Sequence, residues 1–306
     1  MSLSPSVVIL AGGTGGAKLA RGLADVVEPG NLTVIANPGD DIEIYGAYVS
    51  PDPDLISFWL ADAIDERGWG LAGDTFKVMD GLRELGEEIW FNLGDRDLAI
   101  GLKRAELLAR GLRLTEAHAR VIQHLGCRAR VLPASDRPLR TQVQADGVRY
   151  GLQEFMIRAQ SRGQIEDVDF RGAREAGTTP EVLAAVAAAD VIVIGPSNPV
   201  ISIGPMLAIP ELNAALQAAR APVVAVSPIV GGRVLKGPTA ACLSWAGYEA
   251  TPQGVASYYG HMIEGLVCDQ DVTGLQRLKT DVLLDTPRAR REVAQQTLRF
   301  ALTLQN

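Results

Sequence analysis

Cysteine is scarce in this chain of 306 residues: Cys127, Cys242 and Cys268 stand far apart, with no C-x-x-C pair. That argues against a disulfide framework and a cysteine-built zinc site, and it suits a reducing cytoplasm. Histidine is as rare, with only His118, His124 and His261. No Ser/His/Asp or Cys/His order stands out around them, so nucleophilic catalysis is disfavoured. Positive charge is in deficit: 29 Lys and Arg against 36 Asp and Glu leave a net charge of −7. Sequence-independent binding of DNA or RNA needs a basic footprint, so nucleic acid is not an expected partner. No apolar run approaches the roughly 20 residues of a membrane span. The first apolar stretch has no charged lead-in and runs into glycines, so it reads as a core strand rather than a signal peptide. Aromatic residues are few; Trp59, Trp69 and Trp90 could stack on a flat ring, although core packing is their commoner use.

Apolar residues are plentiful at 47%, which permits a large core. Short β-branched runs at Val7 to Leu10, Leu32 to Ala36, Val191 to Ile194 and Val223 to Val226 lack alternation, as strands buried on both faces do. Helical patterns lie between them: Ala17 to Val26, Leu55 to Glu66, Phe76 to Leu85, Leu98 to Ala109, Glu116 to Leu125, Pro180 to Ala188 and Gln253 to Leu266. A last one covers Arg288 to Leu304. The alternation predicts an α/β fold, a Rossmann-like, doubly wound and mostly parallel sheet in one domain spanning 1–306. Arg128 to Tyr150 alternates instead and carries Asp146-Gly147, a hairpin turn signal, so 128–175 reads as an inserted hairpin or cap. The apolar positions of the last helix (Val293, Leu298, Phe300, Ala301, Leu304) could lie on a partner in a homodimer.

The densest signal is Val7-Val8-Ile9-Leu10-Ala11-Gly12-Gly13-Thr14-Gly15-Gly16-Ala17-Lys18. A buried strand enters a bare backbone turn and then a helix N-terminus. Such a turn offers open N–H groups and partial positive charge to a phosphate, and Lys18 adds a full charge. The plainer reading is a turn that lets the helix pack closely. The spacing fits neither the dinucleotide fingerprint nor the P-loop. A nicotinamide oxidoreductase is disfavoured for the same reason.

Acidic residues follow the second strand. Gly39-Asp40-Asp41 and Ser50-Pro51-Asp52-Pro53-Asp54 place four carboxylates within two turns. Near a phosphate loop such a set suggests Mg²⁺, which commonly takes one or two carboxylates plus substrate phosphates. Asp54 is also a good N-cap. Leu93-Gly94-Asp95-Arg96-Asp97 puts dense charge before a helix, where it could orient an alcohol, pair internally or cap. Gly195-Pro196-Ser197-Asn198-Pro199 ends a core strand, where the ligand crevice of an open α/β sheet lies. Arg233 and Lys236 follow the next strand as cations able to neutralise phosphate.

These blocks, with Gly68-Trp69-Gly70 and Ser227-Pro228-Ile229-Val230-Gly231-Gly232, resemble in content and order the 2-phospho-L-lactate transferase (CofD) family of coenzyme F-420 biosynthesis. The resemblance implies phosphoryl transfer to an alcohol. The donor is a guanosine diphosphate bearing lactate 2-phosphate or its phosphoenolpyruvate analogue, and the acceptor is the ribityl hydroxyl of the deazaflavin Fo. GMP leaves. It implies catalytic roles for Asp54, Asp95 and Arg96, and Mg²⁺ at Asp40 and Asp54. Substrate contacts are implied for Gly12, Gly13, Thr14, Gly15, Gly16, Lys18, Asn92, Ser197 and Asn198. Where relatives often have lysine or arginine, this chain has Asn92. A competing expectation is a nucleotide-sugar-binding regulatory protein of the related gluconeogenesis-factor group, which would use the glycine turn without chemistry.

Overall fold

The computed structural model of the chain describes residues 4–127 and 129–305. Arg128, where the inserted hairpin was expected to begin, lies outside the described residues. The main sheet has seven strands, numbered here β1 (Val7–Ala11), β2 (Leu32–Ala36), β3 (Arg130–Pro133), β4 (Val191–Ile194), β5 (Val223–Val226), β6 (Gly265–Cys268) and β7 (Gln276–Lys279). Their spatial order is β7-β6-β5-β4-β1-β2-β3, and every neighbouring pair is parallel. This is the Rossmann-like order expected. The winding reverses between β1 and β4, and the crevice beyond their carboxyl ends is where such sheets bind ligands.

Both faces of the sheet are covered, which explains the unbroken apolar runs. Successive residues of β1 point to opposite sides. Val7, Ile9 and Ala11 join one core with Leu19, Leu55 and Val293, while Val8 and Leu10 join another with Val182, Leu212 and Val255. The first core is closed by helices α1 (Gly13–Leu23) and α2 (Pro51–Leu60). Helices α3 (Asp95–Ala109) and α4 (Leu114–Ile122) follow in the chain, and α5 (Pro287–Leu302) returns to lie on α1. Among the described residues, no single helix is long and apolar enough to cross a membrane.

Several expected boundaries move. The stretch read as a hairpin from 128 divides: Arg130–Pro133 pairs with β2 in the main sheet. A separate antiparallel sheet is built from Arg140–Ala145, Val148–Gly151 and Ile165–Arg171. Its turn is the expected Asp146-Gly147, with φ of 47° and 77°, the left-handed pair that a two-residue hairpin needs. The helix expected over Gln253 to Leu266 stops at Tyr259, and β6 begins at Gly265. Gly260 ends it with φ of 54°. Of the last helix's apolar stripe, Val293, Leu298 and Ala301 are buried in the α1 core, while Phe300 and Leu304 are partly buried against it.

Candidate active site

Helix α2 delivers the acids. It starts at Pro51 with Ser50 as N-cap, so Asp52 and Asp54 lie inside its first turn rather than ahead of the helix. Prolines cost little there, because first-turn N–H groups lack helical partners anyway. The Asp52 carboxylate accepts from the Gly13 N–H at 2.5 Å and from Asn37 Nδ2 at 2.9 Å. It thus bridges the glycine turn after β1 and the loop after β2. Burial pushes Asp52 up to about 6, against the pull of those two donors.

Asp54 meets Arg104 of α3 in a buried pair. Arg104 Nη1 donates to Asp54 Oδ2 at 3.0 Å, and Nη2 donates to Oδ1. Nη1 also donates to the Tyr48 carbonyl at 2.9 Å. The Arg104 side chain is 0% exposed. His118 of α4 stands behind it, with Nδ1 3.5 Å from Arg104 Nη2 and Nε2 3.3 Å from Ser57 Oγ. A guanidinium can only donate, so Nδ1 accepts and the imidazole proton sits on Nε2. Burial and the Arg104 charge hold His118 well below its ordinary value, hence neutral.

Asp40 is 6% exposed. Its Oδ2 accepts from Gln153 Nε2 at 3.0 Å, while its buried Oδ1 has no partner. Burial, then the Asp52 and Asp41 charges, raise Asp40 well above the usual carboxylate range. Asp41 accepts from Ser50 Oγ at 2.6 Å and from the Tyr48 hydroxyl at 2.9 Å, and burial lifts it to about 7 against the nearby Arg140. Burial and the Asp54 charge lift Asp97 to about 7, against Arg104.

Asp40, Asp52, Asp54, Asp74 and Asp97 line a cavity of about 580 Å³. Phe58, Trp69, Phe76, Trp90 and Phe91 line it as well. Arg67, Lys236 and Arg158 stand over the rings of Phe76, Trp69 and Trp90 at 5.7, 5.9 and 5.7 Å. A second cavity of about 330 Å³ lies beside it, and Asp40, Leu152 and Gln153 line both. The short helix Leu152–Ile157, carried by the inserted sheet, supplies that shared wall.

The donor set fits a hard cation. Carboxylates outnumber the buried Arg104, and Asp40 Oδ1 is a buried oxygen without a partner. Among the described residues, no group of three His, Cys, Asp or Glu side chains could hold a metal by itself. An ion there would draw further ligands from water or phosphate, as Mg²⁺ commonly does. Both Asp54 oxygens are engaged by Arg104, although a carboxylate oxygen keeps a second lone pair.

The remaining candidates separate. Of the glycine turn, Gly13 lines the cavity, with φ of 60°. A Cβ on Gly15 would lie 2.1 Å from the Pro196 carbonyl oxygen, and one on Gly16 would lie 2.5 Å from Ser197 Oγ. One on Gly12 would meet Asp52 Oδ2 at 2.6 Å, so these three glycines serve close packing. Thr14 Oγ1 is buried without a partner. Lys18 lines neither cavity and pairs with Asp285 at 3.0 Å. Ser197 Oγ accepts from the Gly12 N–H at 3.2 Å, and Asn198 Oδ1 caps the π-turn Pro199–Ile203. That turn brings Ile201 and Ser202 to the cavity. Asp95 caps the helix Lys77–Glu84 by accepting from Val78 N at 2.9 Å. Arg96 donates to the Ala72 carbonyl at 3.1 Å. Neither Asp95 nor Arg96 lines either of these two cavities; Asp97 of the same block lines the larger. Asn92 lines the cavity and accepts from Arg83 at 2.9 Å.

Sequence reasoning missed Arg104 and His118, and from the Asp95-Arg96-Asp97 block it singled out Asp95 and Arg96 rather than Asp97. A signal existed for Arg104: it falls at helical spacing among Leu98, Gly101 and Leu107, the buried stripe of α3.

The family model for 2-phospho-L-lactate transferase CofD matches residues 7–298. A 2-phospho-L-lactate transferase of Methanosarcina mazei is 35% identical over 300 residues, covering 94% of this chain and 98% of its own. A phosphoenolpyruvate transferase of Kitasatospora aureofaciens is 41% identical over 271 residues, covering 86% and 84%. In fold, a solved UPF0052-family protein from Bacillus halodurans superposes with a TM-score of 0.64 at 18% identity, covering 97% of this chain and 100% of that one. The chain belongs to the CofD family of 2-phospho-L-lactate transferases and is a transferase enzyme.

Proposed function

We propose that this enzyme moves a phospholactyl or phosphoenolpyruvyl group from a guanosine-diphosphate-linked donor to the ribityl hydroxyl of the deazaflavin Fo. The hydroxyl oxygen forms a bond to the distal phosphorus, the phosphoanhydride bond breaks, and GMP leaves. The supporting observation is one cavity lined both by aromatic rings and by largely buried carboxylates. The aromatic side chains suit a flat tricyclic ring, and the carboxylates suit the cation that accompanies a diphosphate. Asp40, with its free Oδ1, and Asp54, which lines the same cavity, would hold Mg²⁺. Bound there, the ion would neutralise charge on the transferring phosphoryl group. Asp54, oriented by Arg104, lines the cavity where the acceptor hydroxyl would lie. Asp97, pushed up to about 7, is suited to take the hydroxyl proton near neutral pH. Phe58, Trp69 and Trp90 would hold the ring and exclude water.

The test is incubation with Fo, Mg²⁺ and each guanylyl donor, followed by mass analysis of the deazaflavin. The expected result is a phosphodiester adduct of Fo with release of GMP. Unmodified Fo with both donors would overturn the reading.

A further inference from the structure

We propose that Arg104 is a positioning residue for the transfer, its guanidinium fork fixing the Asp54 carboxylate at the cavity wall while His118 holds the fork from behind. The inference rests on the function proposed above and names a residue through which that site acts.

The placement is built by close packing. Gly101, one turn before Arg104 on α3, lies against the hairpin strand Ala47–Val49. A Cβ there would stand 3.0 Å from Ala47 Cβ and 3.3 Å from the Tyr48 carbonyl oxygen. α3 therefore presses on this hairpin and inserts Arg104 between it and α2. Three elements then fix the guanidinium: Asp54 on α2, the Tyr48 carbonyl on the hairpin and His118 on α4.

Stability alone does not account for the arrangement. Arginine cannot shed its charge, and desolvating an ion pair commonly offsets the attraction gained. Two apolar side chains of similar volume would fill the same space. Arg104 Nε is even left buried without a partner. What the fork supplies and an apolar pair cannot is a fixed plane for the carboxylate, because two parallel N–H bonds define it. Lysine offers one point charge and no plane.

The experiment uses the full chain, Fo, Mg²⁺ and the donor that the wild type accepts. Arg104→Lys is expected to lose roughly 100-fold in kcat, the cost of a small misplacement. Its KM for Fo should stay within about threefold of wild type, because ground-state binding is untouched. Asp54→Leu combined with Arg104→Met should fold at least as stably as wild type and be no less active than Asp54→Leu alone, since both act through one group. The proposal is overturned if folded Arg104→Lys keeps kcat within about twofold of wild type, or loses efficiency through KM alone. It is also overturned if the double variant falls well below Asp54→Leu. An inactive wild type would instead remove the proposed function.

Discussion

At the scale of single residues, the chain confines acid where water is thin. Asp41, Asp52 and Asp97 sit at about 7, 6 and 7 because burial disfavours their charged forms. In the unfolded chain they titrate near 4, so across the interval the folded state binds protons that the unfolded state has released. Each group's stability is full below the unfolded value and is lost as pH rises through the folded one. The metal-free protein should therefore show a falling melting temperature between about pH 5 and about pH 8, and a rise would contradict the assignment. The proposed Mg²⁺ would offset that penalty. At roughly 100 times its Kd it should add about 2.7 kcal/mol, with a larger shift in thermal melting at the alkaline end. Asp40 and Asp54 were legible as carboxylates after a strand. Which member of Asp95-Arg96-Asp97 faces the cavity was not, because that depends on the Asp74 cap that sets the start of α3. Arg104, beside Lys103, reads as a solvated cation until the helix phase is considered.

At the scale of elements, the glycine turn is a packing device. Gly15→Ala sets a methyl group against the Pro196 carbonyl with no space to accept it. Gly81, in the exposed helix Lys77–Glu84, has nothing within 4 Å of a new Cβ. Gly81→Ala should stabilise by about 0.5–1 kcal/mol, the usual helical gain over glycine. Gly15→Ala should lower the melting temperature sharply, and equal effects from the two substitutions would refute the packing role. Four of the seven strands were readable as β-branched runs. β3 opens with Arg130 and ends in Pro133, β6 starts at a glycine after an interrupted helix, and β7 is a charged edge strand. Their identity as strands comes from neighbours, which a local pattern does not contain.

For the molecule as a whole, the doubly wound order gathers segments far apart in the chain at one rim. The loops after β1 and β2, the π-turn after β4 and the inserted helix Leu152–Ile157 all reach the larger cavity. The reversal between β1 and β4 makes this geometry follow from topology. Closure depends on α5, whose packing on α1 is tight enough that a Cβ on Gly22 would meet the Arg290 carbonyl oxygen at 2.3 Å. Leu298→Ala should cost about 2–3 kcal/mol in a denaturant titration, because it empties a core site within one chain. An unchanged midpoint would show that α5 is not part of that core. The doubly wound class could be read from alternating strands and helices, whereas the meeting of two cavities at Asp40 required the inserted sheet in place.

The Asp52 carboxylate rests on the amide of Gly13. An anion approaching that amide would meet a berth already held by the chain's own carboxylate. Evicting it also releases Asn37, so arrival at the first turn would be felt at the loop beyond the second strand.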